Sequence, residues 1–462
     1  MTYAIALLGV VVLFGRTLFG IGPRFAPFDS KPYLTPTSAP GSSVNISWNT
    51  SVLESTQVAY GLNPTLGDTI RLDGTRNYHH VTLTGLLPNT EYHYRVLPGG
   101  SLKAFRTFPE RGDSCVFIVL GDTRTDSVAH QSVIDRMAQY EHNFIINCGD
   151  LVEDGNLENQ WQTFFNIEDT LLETKQFLPT LGNHEFPYWP YDTIFSLPDS
   201  EEYYSVDYGN VHIVALNTET SLIGTQLSWL RQDLERNRSN HRIDWIVVAF
   251  HRPPYSSGSH GSQLDVRDAW CPVLETYGVD LVFAGHDHDY ERTNPIDGVT
   301  YVVTGGGGAP LRSVGTSPWT AYAESTYHFC RVEIKDRQLT MRAIKPDGVV
   351  FDSVIIDKGR SEPNGNRAWP GRRLRVFPSP MHKQVFITYR LEQPQRIKLS
   401  IADHAGREVA ILKDADEPAG LYLLTWDGRD RHGKSARAGV YFVVAQLGGE
   451  AWMNKITRVS GD

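Results

Sequence analysis

Between positions 31 and 108 apolar and polar residues alternate in short runs, at 43–48, 56–61, 79–86 and 90–97, with Pro, Gly and Asn between them. Period-two alternation broken by turn formers predicts strands buried on one face, hence a small all-β sandwich over 31–110. The texture changes at Cys115. Apolar runs of four to six residues, at 116–120, 143–148, 177–181, 245–250 and 280–284, now alternate with amphipathic stretches such as 127–140 and 226–238. Buried strands alternating with helices predict a layered α/β domain over 114–358. A stretch rich in Gly, Arg, Pro and Asn (359–373) reads as a linker. Strand patterns return at 384–391, 396–403, 420–428 and 439–447, which predicts a second small sandwich over 374–462.

The first 22 residues fit none of these units. Tyr3 to Phe14 is an apolar run too short to span a bilayer as a helix but of the right length for the core of a secretory signal. No Lys or Arg precedes it and no clear cleavage site follows, so a cleaved signal and a retained N-terminal anchor both stand, and either implies export.

Composition narrows the function. A chain of 462 residues with 40% hydrophobic and 21% charged residues is globular and too long for one core. Its 43 Lys and Arg against 53 Asp and Glu give a net charge of −10, without a basic block, which argues against nucleic acid as a partner. Cys115, Cys148, Cys271 and Cys330 are scattered without a CxxC pair, so neither a disulfide framework nor a thiolate zinc site is expected.

The chemistry lies in the middle unit, where five strand-like runs each end in metal-type ligands. They lead into Gly121-Asp122-Thr123-Arg124, Gly149-Asp150, Gly182-Asn183-His184-Glu185, His251, and Gly285-His286-Asp287-His288. Loops at the carboxyl ends of strands are where α/β folds place their sites. Singly, each residue reads as a cap, a turn former or a hydrogen-bonded histidine, and His286 and His288 would face opposite ways unless the backbone turns between them. Together they offer two carboxylates, three imidazoles and an amide oxygen, enough for two cations sharing one carboxylate. Oxygen and imidazole donors suit zinc, manganese or iron.

This order of motifs, GD, GD, GNHE, a lone His and GHDHDYER, resembles the calcineurin-type metallophosphoesterases, and most closely their purple acid phosphatase branch. The 31–110 unit is similar to the fibronectin type III-like module that precedes the catalytic domain there. The resemblance implies a four-layer central sandwich flanked by two small all-β sandwiches, two transition-metal ions, and hydrolysis of phosphate esters by a hydroxide held between them. It implies that Asp122 and His288 hold the first metal, that Asp150 bridges, and that Asn183, His251 and His286 complete the second. His184 then either protonates the leaving group or hydrogen-bonds a ligand carboxylate. Monoesters are the favoured substrates, with diesters or nucleotides as the alternative. A catalytically inactive adhesion protein is the rival from another class.

Two positions depart from the family. Glu153 stands where purple members have a ligand tyrosine, so it ligates in its place or pairs with Arg124. Arg124 stands where relatives have a ligand His or a Gly; it clamps phosphate or forms that ion pair. The first metal is then one ligand short, and His130 offers to fill the gap unless it serves as a capping or solvated residue. His260, on the Ser/Gly-rich loop after His251, matches a substrate-facing histidine or is a mobile loop residue. Tyr290 and Arg292 are expected to serve the fold, and Gly305 to Gly308 to form a tight loop rather than a phosphate loop, since no Lys-Ser or Lys-Thr follows. The last unit resembles the Ig-like domain of flagellar hook-capping proteins and C-terminal sorting domains, which implies surface or secretion-machinery contact. Asp427 and Asp430 there read as hairpin-turn residues rather than a calcium site.

Overall fold

The computed structural model describes residues 25–359 and 374–459, apart from 113, 200–201, 239, 241, 378–380, 382–383, 392 and 448–449. The apolar run at 3–14 and the linker at 360–373 lie outside the described residues.

The N-terminal unit comprises β1 (Tyr33–Thr35), β2 (Ser43–Gly61), β3 (Asp68–Thr84), β4 (Glu91–Val96) and β5 (Lys103–Arg106). The two strands expected at 43–48 and 56–61 are one long strand, β2. Its pairing with β3 shifts register between Asn49 and Glu54 and again between Ser55 and Thr56. The polar residues that suggested a turn are an exposed bulge, with Val52 and Leu53 facing solvent.

The central unit runs β6 (Ser114–Leu120), α1 (Ser127–Met137), β7 (Phe144–Asn147), α2 (Glu158–Leu172), β8 (Gln176–Pro179), α3 (Trp189–Ile194), β9 (Tyr204–Tyr208), β10 (Val211–Ala215) and α4 (Thr225–Arg238). It continues with β11 (Trp245–Ala249), α5 (Leu264–Tyr277), β12 (Leu281–Ala284), β13 (Tyr290–Thr293), β14 (Thr300–Thr304), β15 (Thr320–Glu324), β16 (Phe329–Lys335), β17 (Gln338–Ile344) and β18 (Val350–Asp357). One sheet places β6, β7 and β8 side by side and parallel; the other does the same with β10, β11, β12 and β14.

Side-chain alternation sorts the second sheet's residues between two cores. Ile213, Val247, Leu281 and Phe283 face the first sheet and share a core with Phe117, Val119 and Ile145. Their neighbours Val214, Ile246, Val248 and Val282 face away and pack under Leu230 and Leu234 of α4 and Trp270 and Leu274 of α5. Helices α1 and α2 cover the other sheet through Val133, Ile134, Trp161 and Phe165. The result is four layers, helix, sheet, sheet, helix.

Two contacts tie the flanking units on. Strand β1 pairs parallel with β8 at Leu34 and Gln176, so the first central sheet runs on into the N-terminal strands. The C-terminal unit comprises β19 (Leu374–Phe377), β20 (Val385–Leu391), β21 (Gln395–Asp403), β22 (Glu408–Glu417), β23 (Gly420–Trp426), β24 (Gly439–Leu447) and β25 (Glu450–Arg458), in sheets of three and four strands. Phe386 of β20 packs with the α4–α5 core and lies under the Arg231 guanidinium, 4.6 Å from its centre. Asp427 and Asp430 accept backbone N–H groups two and four residues on, as turn formers do. All four cysteines are buried and free. Among the described residues no helix is long and apolar enough to cross a membrane.

Candidate metal centre

The carboxyl ends of β6, β7 and β8 in one sheet and β11 and β12 in the other converge on one pocket, and each delivers its motif there. Asp122, Asp150 and His286 all adopt left-handed backbone, with φ of 58°, 55° and 70°. Such conformations in non-glycine residues cost energy and persist where surrounding structure enforces them. At His286 the turn settles the question of direction. Asp287 N–H bonds to Gly285 O and Asp289 N–H to Asp287 O, both at 2.9 Å, and these two tight turns bring His286 and His288 to the same pocket.

Two donor groups form around Asp150. Asp150, His251 and His286 make one; Asp122, Asp150 and His288 make the other, and within each the donor atoms lie within 4.8 Å of one another. Asn183 joins the first, its Oδ1 3.2 Å from His251 Nε2. His251 Nδ1 donates to Cys148 O at 2.9 Å and His288 Nδ1 to Pro310 O at 2.8 Å, which leaves both Nε2 atoms as lone-pair donors. The backbone N–H of His286 bonds to Asp122 Oδ2 at 2.8 Å, whereas Asp122 Oδ1 is buried without a hydrogen-bond partner.

The electrostatics fit a cation. Burial, then the adjacent Asp150 charge, pushes Asp122 well above the usual carboxylate range. Burial would do the same to Asp150, but His251, His184 and Arg124 hold it below its ordinary value. Burial drives His288 down to about 4 and, with His251 and Arg252 beside it, drives His286 further still, so both imidazoles are neutral. Two buried carboxylates among neutral imidazoles, one oxygen unpartnered, are a donor set suited to a cation.

Glycines let the loops close around it. A Cβ at Gly182 would stand 2.3 Å from both Asp150 N and Asp150 Oδ1, and one at Gly305 would stand 2.1 Å from Asp287 O. Close backbone approach is thus what the Gly305 to Gly308 run supplies.

Around the donors the remaining residues take distinct places. His184 N–H bonds to Asp150 Oδ1 at 3.0 Å, its Nδ1 lies 2.7 Å from Glu153 O, and its Nε2 lies 3.8 Å from Asp150 Oδ2, beyond hydrogen-bond reach. Arg124 takes the ion-pair alternative: Nη1 bonds to Glu153, and Nε reaches Asp150 Oδ2 at 3.2 Å. Its Nη2 lies 3.2 Å from His288 Nε2, so each of its three nitrogens has a partner within the pocket. Glu153, held by Arg124 and by Thr125 Oγ1 at 2.6 Å, is not in either donor group. Nor is His130. Its Nε2 pairs with Glu168 Oε1 of α2 at 2.9 Å and both side chains are buried, so it is neither a solvated residue nor a member of the donor groups. Tyr290 and Arg292 both bond to Asp352 of β18, beneath the site.

His260 makes several contacts at the pocket. Its ring stacks on His286 at 4.3 Å, its N–H and Nδ1 meet Asp287 Oδ1 at 2.9 and 3.0 Å, and Arg312 Nη1 lies 2.6 Å from its Nε2. Arg312 and Asp287 were not expected to act together. Arg312 lies in an irregular loop far along the chain, and no motif points to it. Glu185, also without an expected role, is fully buried and accepts N–H bonds from Asp150, Leu151, Val152 and Gly182.

Comparison with known proteins matches this frame. Residues 116–290 match the calcineurin-like phosphoesterase family and residues 30–110 the purple acid phosphatase N-terminal domain. The central unit is thus a calcineurin-like phosphoesterase domain. Residues 383–449 match the FlgD Ig-like domain. It is 31% identical over 292 residues to purple acid phosphatase 21 of Arabidopsis thaliana, covering 56% of this chain and 66% of that one. It is 26% identical over 407 residues to human acid phosphatase type 7, covering 72% of this chain and 91% of that one. The chain spans only about half, 51%, of another curated relative, an uncharacterized protein of Mycobacterium tuberculosis. A purple acid phosphatase isolated from yellow lupin seeds shares the fold, with a TM-score of 0.63 at 20% identity over 72% of this chain and 74% of that one. The family's dinuclear metal centre corresponds to the two donor groups around Asp150.

Proposed function

We propose that the protein hydrolyses phosphate monoesters at a dinuclear centre held by Asp122, Asp150, Asn183, His251, His286 and His288. The observation that carries this reading is the position of Asp150 in both donor groups. Two transition-metal ions at these donors supply electrophilic charge and an activated water to attack phosphorus. Imidazole, carboxylate and amide donors without a thiolate favour zinc, manganese or iron.

The chain's own residues do the rest. Asp150 fixes the spacing of the two groups, while the carbonyls of Cys148 and Pro310 fix the tautomers of His251 and His288. With its Nδ1–H donating to Glu153 O, His184 as an imidazolium presents Nε2–H to the departing oxygen and is left neutral once that proton is handed over, a role that contributes roughly 10²–10⁴ in rate. His260 and Arg312 present nitrogen atoms at the rim to a phosphoryl oxygen. The resemblance to acid phosphatases supports monoesters over diesters. Export, and contact with a cell surface or secretion machinery through the C-terminal unit, form part of the same reading. They are supported by the apolar run at 3–14 and by the likeness of 383–449 to an Ig-like domain.

A chromogenic phosphate monoester and its diester counterpart, offered to purified protein before and after chelation and with zinc, manganese or iron restored, test the reading. Monoester turnover that chelation removes and metal restores is expected. Turnover of neither ester under any of the three metals would sink it in favour of a binding protein, and faster diester turnover would move the substrate class. Cell fractionation checks export, which a purely cytoplasmic protein would refute.

A further inference from the structure

The two donor groups are not equivalent, because one of them already holds a positive charge. Arg124 is buried, with 7% of its side chain exposed. Its Nε lies 3.2 Å from Asp150 Oδ2 and its Nη2 3.2 Å from His288 Nε2. Since His288 Nδ1 donates to Pro310 O, its Nε2 is the lone pair that receives Arg124, and the same lone pair is the one a metal would take. Two of the three donors in the first group are therefore engaged by one guanidinium. The third, Asp122, keeps a buried and unpartnered Oδ1 3.5 Å from His288 Nε2.

The second group has four donors, and their facing atoms meet no cation. His251 Nε2 lies 3.3 Å from Asp150 Oδ1, 3.2 Å from Asn183 Oδ1 and 3.2 Å from His286 Nδ1. The nearby Arg252 touches the other ring nitrogen, His286 Nε2, at 3.4 Å, and is itself held by Glu219 through Nε and Nη2. Among the described residues no arginine or lysine competes for the atoms that point inward, although Asp150 Oδ1 also accepts the backbone N–H of His184.

Taking the six residues as metal ligands, as the proposed function does, we propose that Arg124 is an internal competitor for the first metal. One cation binds tightly at Asp150, Asn183, His251 and His286, and a second binds at Asp122, Asp150 and His288 only by displacing the guanidinium. Glu153, bonded to Arg124 Nη1 and to Thr125 Oγ1, is the partner that keeps the arginine when it withdraws. The charge-assisted hydrogen bonds that must be given up set the handicap at roughly 10- to 100-fold in affinity. Zinc or manganese concentration then decides how many protein molecules carry both ions.

Metal binding tests this without any substrate. Full-length protein stripped by chelation is titrated with zinc, or with manganese, by calorimetry, and the metal retained after gel filtration is counted by elemental analysis. Wild type is expected to keep one equivalent and to bind the second roughly 10- to 100-fold more weakly. R124A should narrow that gap to within about 3-fold, and R124H, which adds an imidazole donor, should retain two equivalents. Two equivalents of equal affinity in wild type overturn the proposal, as does an unchanged gap in a folded R124A. If R124A does not fold, the wild-type gap alone decides. A protein that hydrolyses no ester yet loads its sites unequally would refute the hydrolytic reading and leave this inference standing. One that hydrolyses esters with two equally bound ions would do the reverse.

Discussion

Asp150 carries more of the site than any other side chain. It accepts from His184 N and Arg124 Nε, lies 3.3 Å from His251 Nε2, and sits on left-handed backbone held by N–H bonds to Glu185. Asp150→Asn replaces a shared anionic oxygen with an amide, so bound metal and turnover should fall together, with kcat down by at least about 10³-fold. Elemental analysis beside a rate assay checks this, and near-normal turnover would show that the bridge lies elsewhere. Arg312→Gln removes the donor next to His260 Nε2 and leaves the metal ligands untouched. A KM for monoester raised roughly 10-fold, with metal content unchanged, is the expected result. Glu153 makes a third prediction. Iron-loaded protein should lack the intense visible phenolate band of purple enzymes, because the position that supplies their tyrosine carries a carboxylate engaged by Arg124. The candidate ligands were legible in the sequence because each follows a strand in a short motif. The partnership of Asp287, His260 and Arg312 was not, because it joins three loops that only folding brings together.

At the scale of elements, the layers are pinned by a few buried polar contacts as well as by apolar packing. His212 on β10 is the clearest case: Nδ1 meets Asp207 Oδ1 of β9 at 2.6 Å and Nε2 meets Asp233 Oδ2 of α4 at 2.7 Å. Burial opposes the imidazolium, yet the hydrogen bonds to Asp207 and Asp233 outweigh it and push His212 up from 6.5 to about 9. The folded state therefore binds the proton more tightly than the unfolded chain. The stabilisation is complete below about pH 6.5, declines as pH rises and is lost above about 9, a swing of roughly 1–3 kcal/mol. Calorimetric melting at pH 6 and pH 9.5 should show wild type losing stability over that interval. His212→Gln should be less stable at pH 6 and flatter across the range, and an unchanged slope would assign the effect to other groups. Periodicity identified α4, at 226–238, but neither β9 nor β10, and it could not say which acids of β9 and α4 face one histidine, because that depends on how the helix lies across the sheet.

Over the whole molecule the two flanking units are joined to the centre in different ways. The N-terminal unit continues a central sheet through β1 and β8, and it is fastened by Lys103 to Glu173 at 2.6 Å, Tyr94 OH to Glu173 O at 2.8 Å and Asn45 Nδ2 to Ser196 O at 2.9 Å. Deleting 25–110 would bare the β8 edge and the buried Gln176 beside it, so the remaining chain should be poorly soluble or inactive. Ending the chain after Lys358 removes mainly the cover over Phe386's neighbours, and monoester turnover should stay within about 3-fold of wild type. Solubility and rate of the two truncations, measured side by side, check the contrast.

Alternation of apolar residues and the order of ligand motifs determined three units, their fold classes and the six candidate donors, because strand period and strand-end chemistry are local properties of a chain. The tertiary structure alone decided that β2 is one bulged strand, that His130 belongs to Glu168, and that Arg124 lies on two of the donors. Each of those depends on distances between segments far apart in sequence, and a pattern of residue types carries no record of which buried charge will find which partner.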